Sequence, residues 1–283
     1  MDLNKLSIKE KNNLLNKRLN LLKKTIKENK KDLNLLKFSI GNSKLKKDTL
    51  IFDLPAGKTC PGAKNCHSWV NIDQYGKRSI QDGYFTDFRC YAASQEVLYT
   101  ALYKKRLHNL NLIKAALKED QKQNSFFSDT ALLILRSIEQ YETKKIKKVR
   151  VHSSGDFFNM AYLDSWVAVA KIKPHLKFYF YSKSLNLFLN KKLPSNMFLT
   201  ASYGGLYDHL IKDNFNRYAV VVYSKSEAYT LGLMHIGEGY HIDKDDSSCF
   251  INKPFALLLH GSQPKGSTAA QALSKIKKDK VKT

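Results

Sequence analysis

From residue 149 onward the chain repeats one unit: a short apolar run, a polar turn rich in Ser, Gly and Lys, then a helix-like stretch. The runs and turns read VRVHSSGD (149–156), FYFYSKS (178–184), FLTASYGG (198–205), VVVYSKSEA (220–228) and FALLLHGSQPKGS (255–267). A run that is apolar at successive positions needs cover on both faces. A parallel sheet flanked by helices supplies that cover. With LIFDL (50–54), stopped by Pro55, six strands alternate with helices. Six units are too few for an eight-fold barrel. They suit an open barrel or a doubly wound sheet, but no G-x-G-x-x-G or phosphate-loop lysine motif follows any strand, so the nucleotide-binding doubly wound reading lacks its marker. The expected class is α/β, a partial (β/α)6 TIM-like barrel with an added N-terminal helix. Barrels of this kind place their chemistry at the C-terminal ends of the strands.

The remaining pattern divides the chain into a basic helical arm (1–37), the β/α domain (38–275) and a frayed, lysine-rich tail (276–283). In the segment 5–36, Leu15, Leu19, Leu22, Ile26, Leu33 and Leu36 follow 4-3 spacing, with Asn29 at the missing step. That fits a coiled-coil arm or, since the seam is short, a helix laid on the domain surface. Helices are expected at 92–118, at 128–143 with Ser128 as N-cap, at 159–172 and at 268–278, and short ones at 185–191, 205–212 and 225–232. Residues 57–90 and 234–253 read as two long polar loops.

Charge narrows the partner. Lys and Arg total 48 against 25 Asp and Glu, a formal net charge of +23 over 283 residues. Such a balance points to an anionic partner, DNA or RNA, or else to a lysine-rich composition with solvated faces. The N-terminus has no apolar core of a secretory signal, and no run of about 18 apolar residues predicts a membrane span. A cytoplasmic location follows, where thiols stay reduced and serve metals or catalysis before disulfides.

The thiols are Cys60, Cys66, Cys90 and Cys249. The first three follow the first strand, with spacing C-x5-C-x23-C, in a Gly- and Lys-rich segment that is a poor place for core thiols. Soft thiolate ligands select zinc or iron–sulfur clusters. Four thiolates close a structural zinc site, whereas three on a 4Fe-4S cluster leave one iron open. The cluster is the expected cofactor and zinc the alternative. His67 offers a nitrogen ligand beside Cys66, and Cys249 is either a fourth ligand or a bystander.

The strand ends supply the other candidates. Ser154, Gly155 and Asp156 end the second strand: Gly155 permits positive φ, and Asp156 accepts hydrogen bonds from a ligand or caps the next helix. Lys183, Ser202, Tyr203 and His260 follow on later strands, with Gly204, Gly205, Ser224, Glu227 and Gln263 as further polar groups. His152 reads as a satisfied core histidine, and Asp243, Asp245 and Asp246 as a solvated turn.

FDLPAGKTCPGAKNC, FRCYAASQEVLY, VRVHSSGDFFNMAYLDSW, FLTASYGG and FALLLHGSQPKGSTAAQAL together resemble the phage gene product 88 family, over roughly residues 38–275. That family of phage and mobile-element proteins brings no reaction to carry over. The order of cysteine loop, SGD-F, S/T-K-S and LPSNMFLTAS is also similar to phage three-cysteine proteins of radical SAM type. That resemblance implies a cluster on Cys60, Cys66 and Cys90, and S-adenosylmethionine held near Ser154, Gly155 and Asp156. The usual C-x3-C-x2-C spacing is absent. The competing reading is a non-catalytic basic nucleic-acid-binding module with a structural zinc or cluster.

Overall fold

The computed structural model describes residues 34–122, 128–233, 242–243 and 245–281. The chain divides into two units, Met1–Leu35 and Leu36–Thr283. The heptad segment lies outside the described residues except at its end. There Leu36 belongs to no helix; it is fully buried in the core of the second unit.

The second unit is α/β. Its main sheet has seven strands in the order β1 (Ser39–Ile40), β2 (Thr49–Asp53), β5 (Lys148–Ser154), β6 (Lys177–Ser182), β7 (Met197–Ser202), β8 (Tyr218–Val222) and β9 (Phe255–Leu258). β1 joins β2 antiparallel, and every other pair is parallel. The six parallel strands are the six expected from the sequence, and they lie side by side in chain order. Among the described residues there are seven α-helices: α1 (Tyr91–Leu98), α2 (Thr100–Lys122), α3 (Asp129–Tyr141), α4 (Met160–Ile172), α5 (Ile211–Asn214), α6 (Lys225–Thr230) and α7 (Thr268–Val281).

Local chemistry sets several boundaries. Ser128 caps α3 by accepting from the Ala131 N–H, and Asn159 caps α4 by accepting from Tyr162. Each bond satisfies an amide that the first helical turn leaves without a partner. The stretch expected as one helix over 92–118 is two, because the chain turns extended at Tyr99. The expected short helices after β6 and β7 are partly 3₁₀, at Leu185–Leu187 and Asp208–Leu210. The last helix runs to Val281, so the expected tail boundary at 276 falls inside it; Ile276 is buried with Leu259 and Ala269.

Alternation along the strands separates two environments. Val149, Val151, Phe178 and Phe180 pack with Leu110 and Ile113 of α2, Ile134 and Ile138 of α3, and Leu163 and Trp166 of α4. Burying each such side chain contributes roughly 1.5–3 kcal/mol. The intervening residues Tyr179 and Tyr181 pack instead with Ala219, Cys249 and Phe255.

No helix among the described residues is long and apolar enough to cross a membrane.

Candidate metal centre

The segment expected as one long loop over 57–90 contains a hairpin, β3 (Ser68–Ile72) paired antiparallel with β4 (Arg78–Asp82). The hairpin takes up the long interval between Cys66 and Cys90. The chain leaves at Ser68 and returns opposite it at Asp82, where the Gly83 N–H donates to the His67 carbonyl at 2.8 Å. The Asp87 and Phe88 amides then both donate to the Asn65 carbonyl, and the Cys90 amide donates to Ser68 Oγ at 3.3 Å. Two cysteines far apart in sequence thus stand on adjoining turns.

The same segment is seated on the strand ends. Gly62 lies against the Lys183 backbone after β6, and its carbonyl accepts from the Leu206 amide after β7 at 2.9 Å. Lys64 and Asn65 donate to the Gly204 carbonyl, and Ala63 bridges Gly205 antiparallel. Beyond β5, the Asp156 amide donates to the Thr59 carbonyl at 3.1 Å. Gly155, at φ +86°, packs so closely on Leu54 and Thr59 that a Cβ there would meet both at 2.7 Å. The cysteine loop therefore rests on the C-terminal ends of three parallel strands.

Cys60, Cys66 and Cys90 are all half-buried. Burial pushes the Cys60 thiol well above its ordinary value, and the Asp156 carboxylate and the other two thiols push it further. Burial also raises Cys90, to about 11, with Cys66 adding to the shift against the Ala93 and Ala92 amides. Both other thiols thus act on Cys60, and a cation beside Cys60 and Cys90 would favour their thiolate forms. Among the described residues, no group of three or more His, Cys, Asp or Glu side chains is set at ligating positions. The donor chemistry nonetheless suits a soft metal or a cluster. The His67 ring packs at a tilt against Trp69, with centroids 5.0 Å apart. Cys249 is fully buried beside Tyr181 and Arg150, in the apolar cluster of Tyr179, Ala219 and Phe255.

The SGD turn ties loops together. Asp156 Oδ1 accepts from the Phe157 amide and Ser182 Oγ; Oδ2 accepts from the Lys183 and Ser184 amides at 2.8 and 3.3 Å. Its carboxyl is nevertheless raised, because burial outweighs those bonds. Ser154 Oγ is buried without a hydrogen-bond partner. Lys183 Nζ donates to Ser202 Oγ and to the Tyr203 carbonyl at 2.6 Å, which ties the β6 end to the β7 end. The Tyr203 ring packs on Tyr218. His260 packs at a tilt against Tyr91, next to Cys90, with centroids 4.7 Å apart. Gln263 binds the Arg89 backbone through both its amide oxygen and its amide nitrogen.

The gene product 88 family model matches residues 14–279. The chain belongs to the gene product 88 family. No curated protein and no solved structure matches it.

In this gene product 88 chain several site neighbours escaped the sequence reading. Tyr91 donates its hydroxyl to the Ser153 carbonyl. Glu96 is buried, accepts from the Ala56 amide at 2.8 Å and pairs with Arg106 at 2.9 Å. Asp53 pairs with Lys105 at 2.8 Å and accepts from Ser153. Polar residues embedded in apolar helix and strand pattern were the available signal. The turn expected as solvated at Asp243, Asp245 and Asp246 is so only in part: Asp245 is exposed, Asp246 is half-buried and Asp243 is buried. Asp243 is 6% exposed and accepts from the Asp246 and Ser248 amides, while Asp246 pairs with Arg150. Ser224 and Glu227 serve the start of α6: Ser224 caps it, and Glu227 accepts from the Tyr223 amide.

Proposed function

We propose that Cys60, Cys66 and Cys90 hold a 4Fe-4S cluster, and that the protein performs radical SAM-type chemistry on nucleic acid or a nucleotide in the host cytoplasm. One observation carries the reading: three half-buried thiols stand on two adjoining turns, and the turn of Cys60 and Cys66 is seated on the C-terminal ends of parallel strands. The chain-order succession of those strands supports taking the sheet as a partial (β/α)6 TIM-like barrel. When bound, such a cluster supplies one-electron chemistry and leaves one iron for S-adenosylmethionine.

The protein's own residues have separable tasks. Asp156 and Lys183 fix the loops on which the thiols stand, since the polar atoms of both side chains are engaged by neighbouring loops. Asp156 is thereby a positioning residue, and not the acceptor for the S-adenosylmethionine amine that the resemblance implies. Ser154, whose hydroxyl still lacks a partner, is the better candidate for a bound molecule, with Tyr203 and His260 at the ends of later strands of the same sheet. The +23 charge supports an anionic substrate.

The test is iron and sulfide analysis of protein purified without oxygen, followed by assay of S-adenosylmethionine cleavage to 5′-deoxyadenosine under reduction. About four irons per chain, lost in the Cys60→Ala, Cys66→Ala, Cys90→Ala variant, with cleavage by the loaded protein, are the expected results. Zinc in place of iron would favour the non-catalytic basic nucleic-acid-binding module with a structural metal. A fully loaded cluster without cleavage would remove the enzymatic claim.

A further inference from the structure

Beside the cysteine loop stands a pair of aromatic residues that the core does not use. Tyr84 is 94% exposed and Phe85 60% exposed, and their rings meet edge to face with centroids 4.9 Å apart. Exposed aromatics on a floppy loop would say little. This turn, however, is pinned to the cysteine loop. The Gly83 amide and Thr86 Oγ1 both donate to the His67 carbonyl at 2.8 Å; the Thr86 amide donates to Gly83 at 3.1 Å; and the next two amides donate to Asn65. The rings are thus held out from a rigid base, so a ligand stacking on them would have little ordering entropy to overcome.

Charge of both signs stands by the pair. Lys64 places its ammonium 5.5 Å from the centre of the Phe85 ring, and Lys58, on the same cysteine loop, is exposed. Asp87 is the exposed acid in the turn, while Asp82 is paired with Arg89. An open ring face next to lysines that can take a phosphate is the composition of a single-strand binding platform. Base–aromatic stacking supplies contact without sequence preference, and the cations track the backbone. A protein partner needs no negative charge, whereas the formal net charge of +23 favours an anionic occupant.

We infer that Tyr84 and Phe85 form a stacking platform for an unpaired base of single-stranded DNA or RNA, with Lys64 contacting the flanking phosphate. The inference rests on the nucleic-acid part of the proposed function and deepens it, naming an unpaired strand as the substrate presented beside the three thiols. It does not require the cluster.

The test is fluorescence anisotropy on the full chain with a labelled oligothymidylate of about 20 nucleotides and a duplex of equal length. The Tyr84→Ala, Phe85→Ala double variant is expected to lose single-strand affinity by about five- to 100-fold, with less effect on the duplex. Its salt dependence should stay that of the wild type. Lys64→Gln is expected to lower the slope of log affinity against log salt by about one. Tyr84→Phe should bind like the wild type, which separates stacking from a hydroxyl contact. Both side chains are exposed, so the substitutions leave the fold intact; an unchanged melting temperature checks this. Wild-type affinity in the double variant, or equal loss on single strand and duplex, overturns the platform. No binding by the wild type at low salt overturns both the platform and the nucleic-acid reading, whatever the iron analysis returns.

Discussion

Gly62 rests on the Lys183 backbone so closely that a Cβ added to it would stand 2.3 Å from the Lys183 carbonyl oxygen. Real Cβ atoms do not come so near, and both neighbours are main chain, which cannot swing aside as a side chain does. The contact joins the cysteine loop to the end of β6, and Leu206 closes it from the other side by donating to the Gly62 carbonyl.

Gly62→Ala should therefore lift the loop from the strand ends. The expected cost is ~1–3 kcal/mol, the range for forcing a methyl group into a packed site. The thiols of Cys60 and Cys66 should also become faster targets for a thiol reagent. Urea unfolding and the rate of thiol labelling check the two effects; an alanine variant with wild-type values for both would show that the loop has slack.

His152 offers a pH-dependent test. It sits at φ +62°, is 3% exposed, and its Nε2 lies 2.9 Å from the Tyr162 hydroxyl. Burial lowers its pKa from 6.5 to about 3, with the Asp53 charge opposing the shift. At neutral pH the ring is uncharged in both folded and unfolded chains. Between 6.5 and about 3 the unfolded chain takes up a proton that the folded one refuses. Stability should fall as the pH drops through that window, by up to ~1.4 kcal/mol per pH unit. In His152→Asn, which does not titrate and tolerates positive φ, the slope should be shallower. Urea titrations across the window decide this, and an unchanged slope would assign the pH dependence to other groups.

Arg150 and Asp246 make a long-range pair. The guanidinium binds Asp246, lies 4.5 Å from the centre of the Tyr181 ring, and is almost buried. Tyr181 also donates to Asp246 at 3.1 Å. Removing one partner strands the other, so Arg150→Met should cost ~3–5 kcal/mol. The double change Arg150→Met, Asp246→Asn should recover part of that loss. A double-mutant cycle by urea unfolding measures the coupling; additive effects would mean that the pair contributes nothing beyond its separate residues.

Asp156→Ala would remove the acceptor of four donors: Phe157 N, Ser182 Oγ, Lys183 N and Ser184 N. The buried Phe157 and Lys183 amides then lose this acceptor, at about 1–3 kcal/mol for each group left unsatisfied, while the Ser184 amide keeps Ser182 Oγ at 3.1 Å. A lowered melting temperature is expected, together with faster hydrogen exchange at Phe157 and Lys183. Normal stability with loss of only ligand binding would instead return Asp156 to the direct ligand role.

The sequence by itself determined the elements whose signals are local. Apolar runs of four to seven residues gave β5 through β9, and Ser128 and Asn159 marked the starts of α3 and α4, because a cap is a bond between residues three apart. The hairpin of β3 and β4 was legible too, in the pairing of SWVNI with RSIQD around Asp73–Gly76, but the cysteines drew the segment into a loop reading. Only the tertiary structure decided what depends on strand register and loop docking. It set the turns of Cys66 and Cys90 side by side through the hairpin, placed Cys249 among Tyr179, Ala219 and Phe255, and gave Asp246 to Arg150, 96 positions away. It also engaged the Asp156 carboxylate with the loop after β6. A local hydrogen bond is specified by the few residues that make it. A contact between distant residues exists only once the intervening strands have chosen their order, and that choice belongs to the whole core.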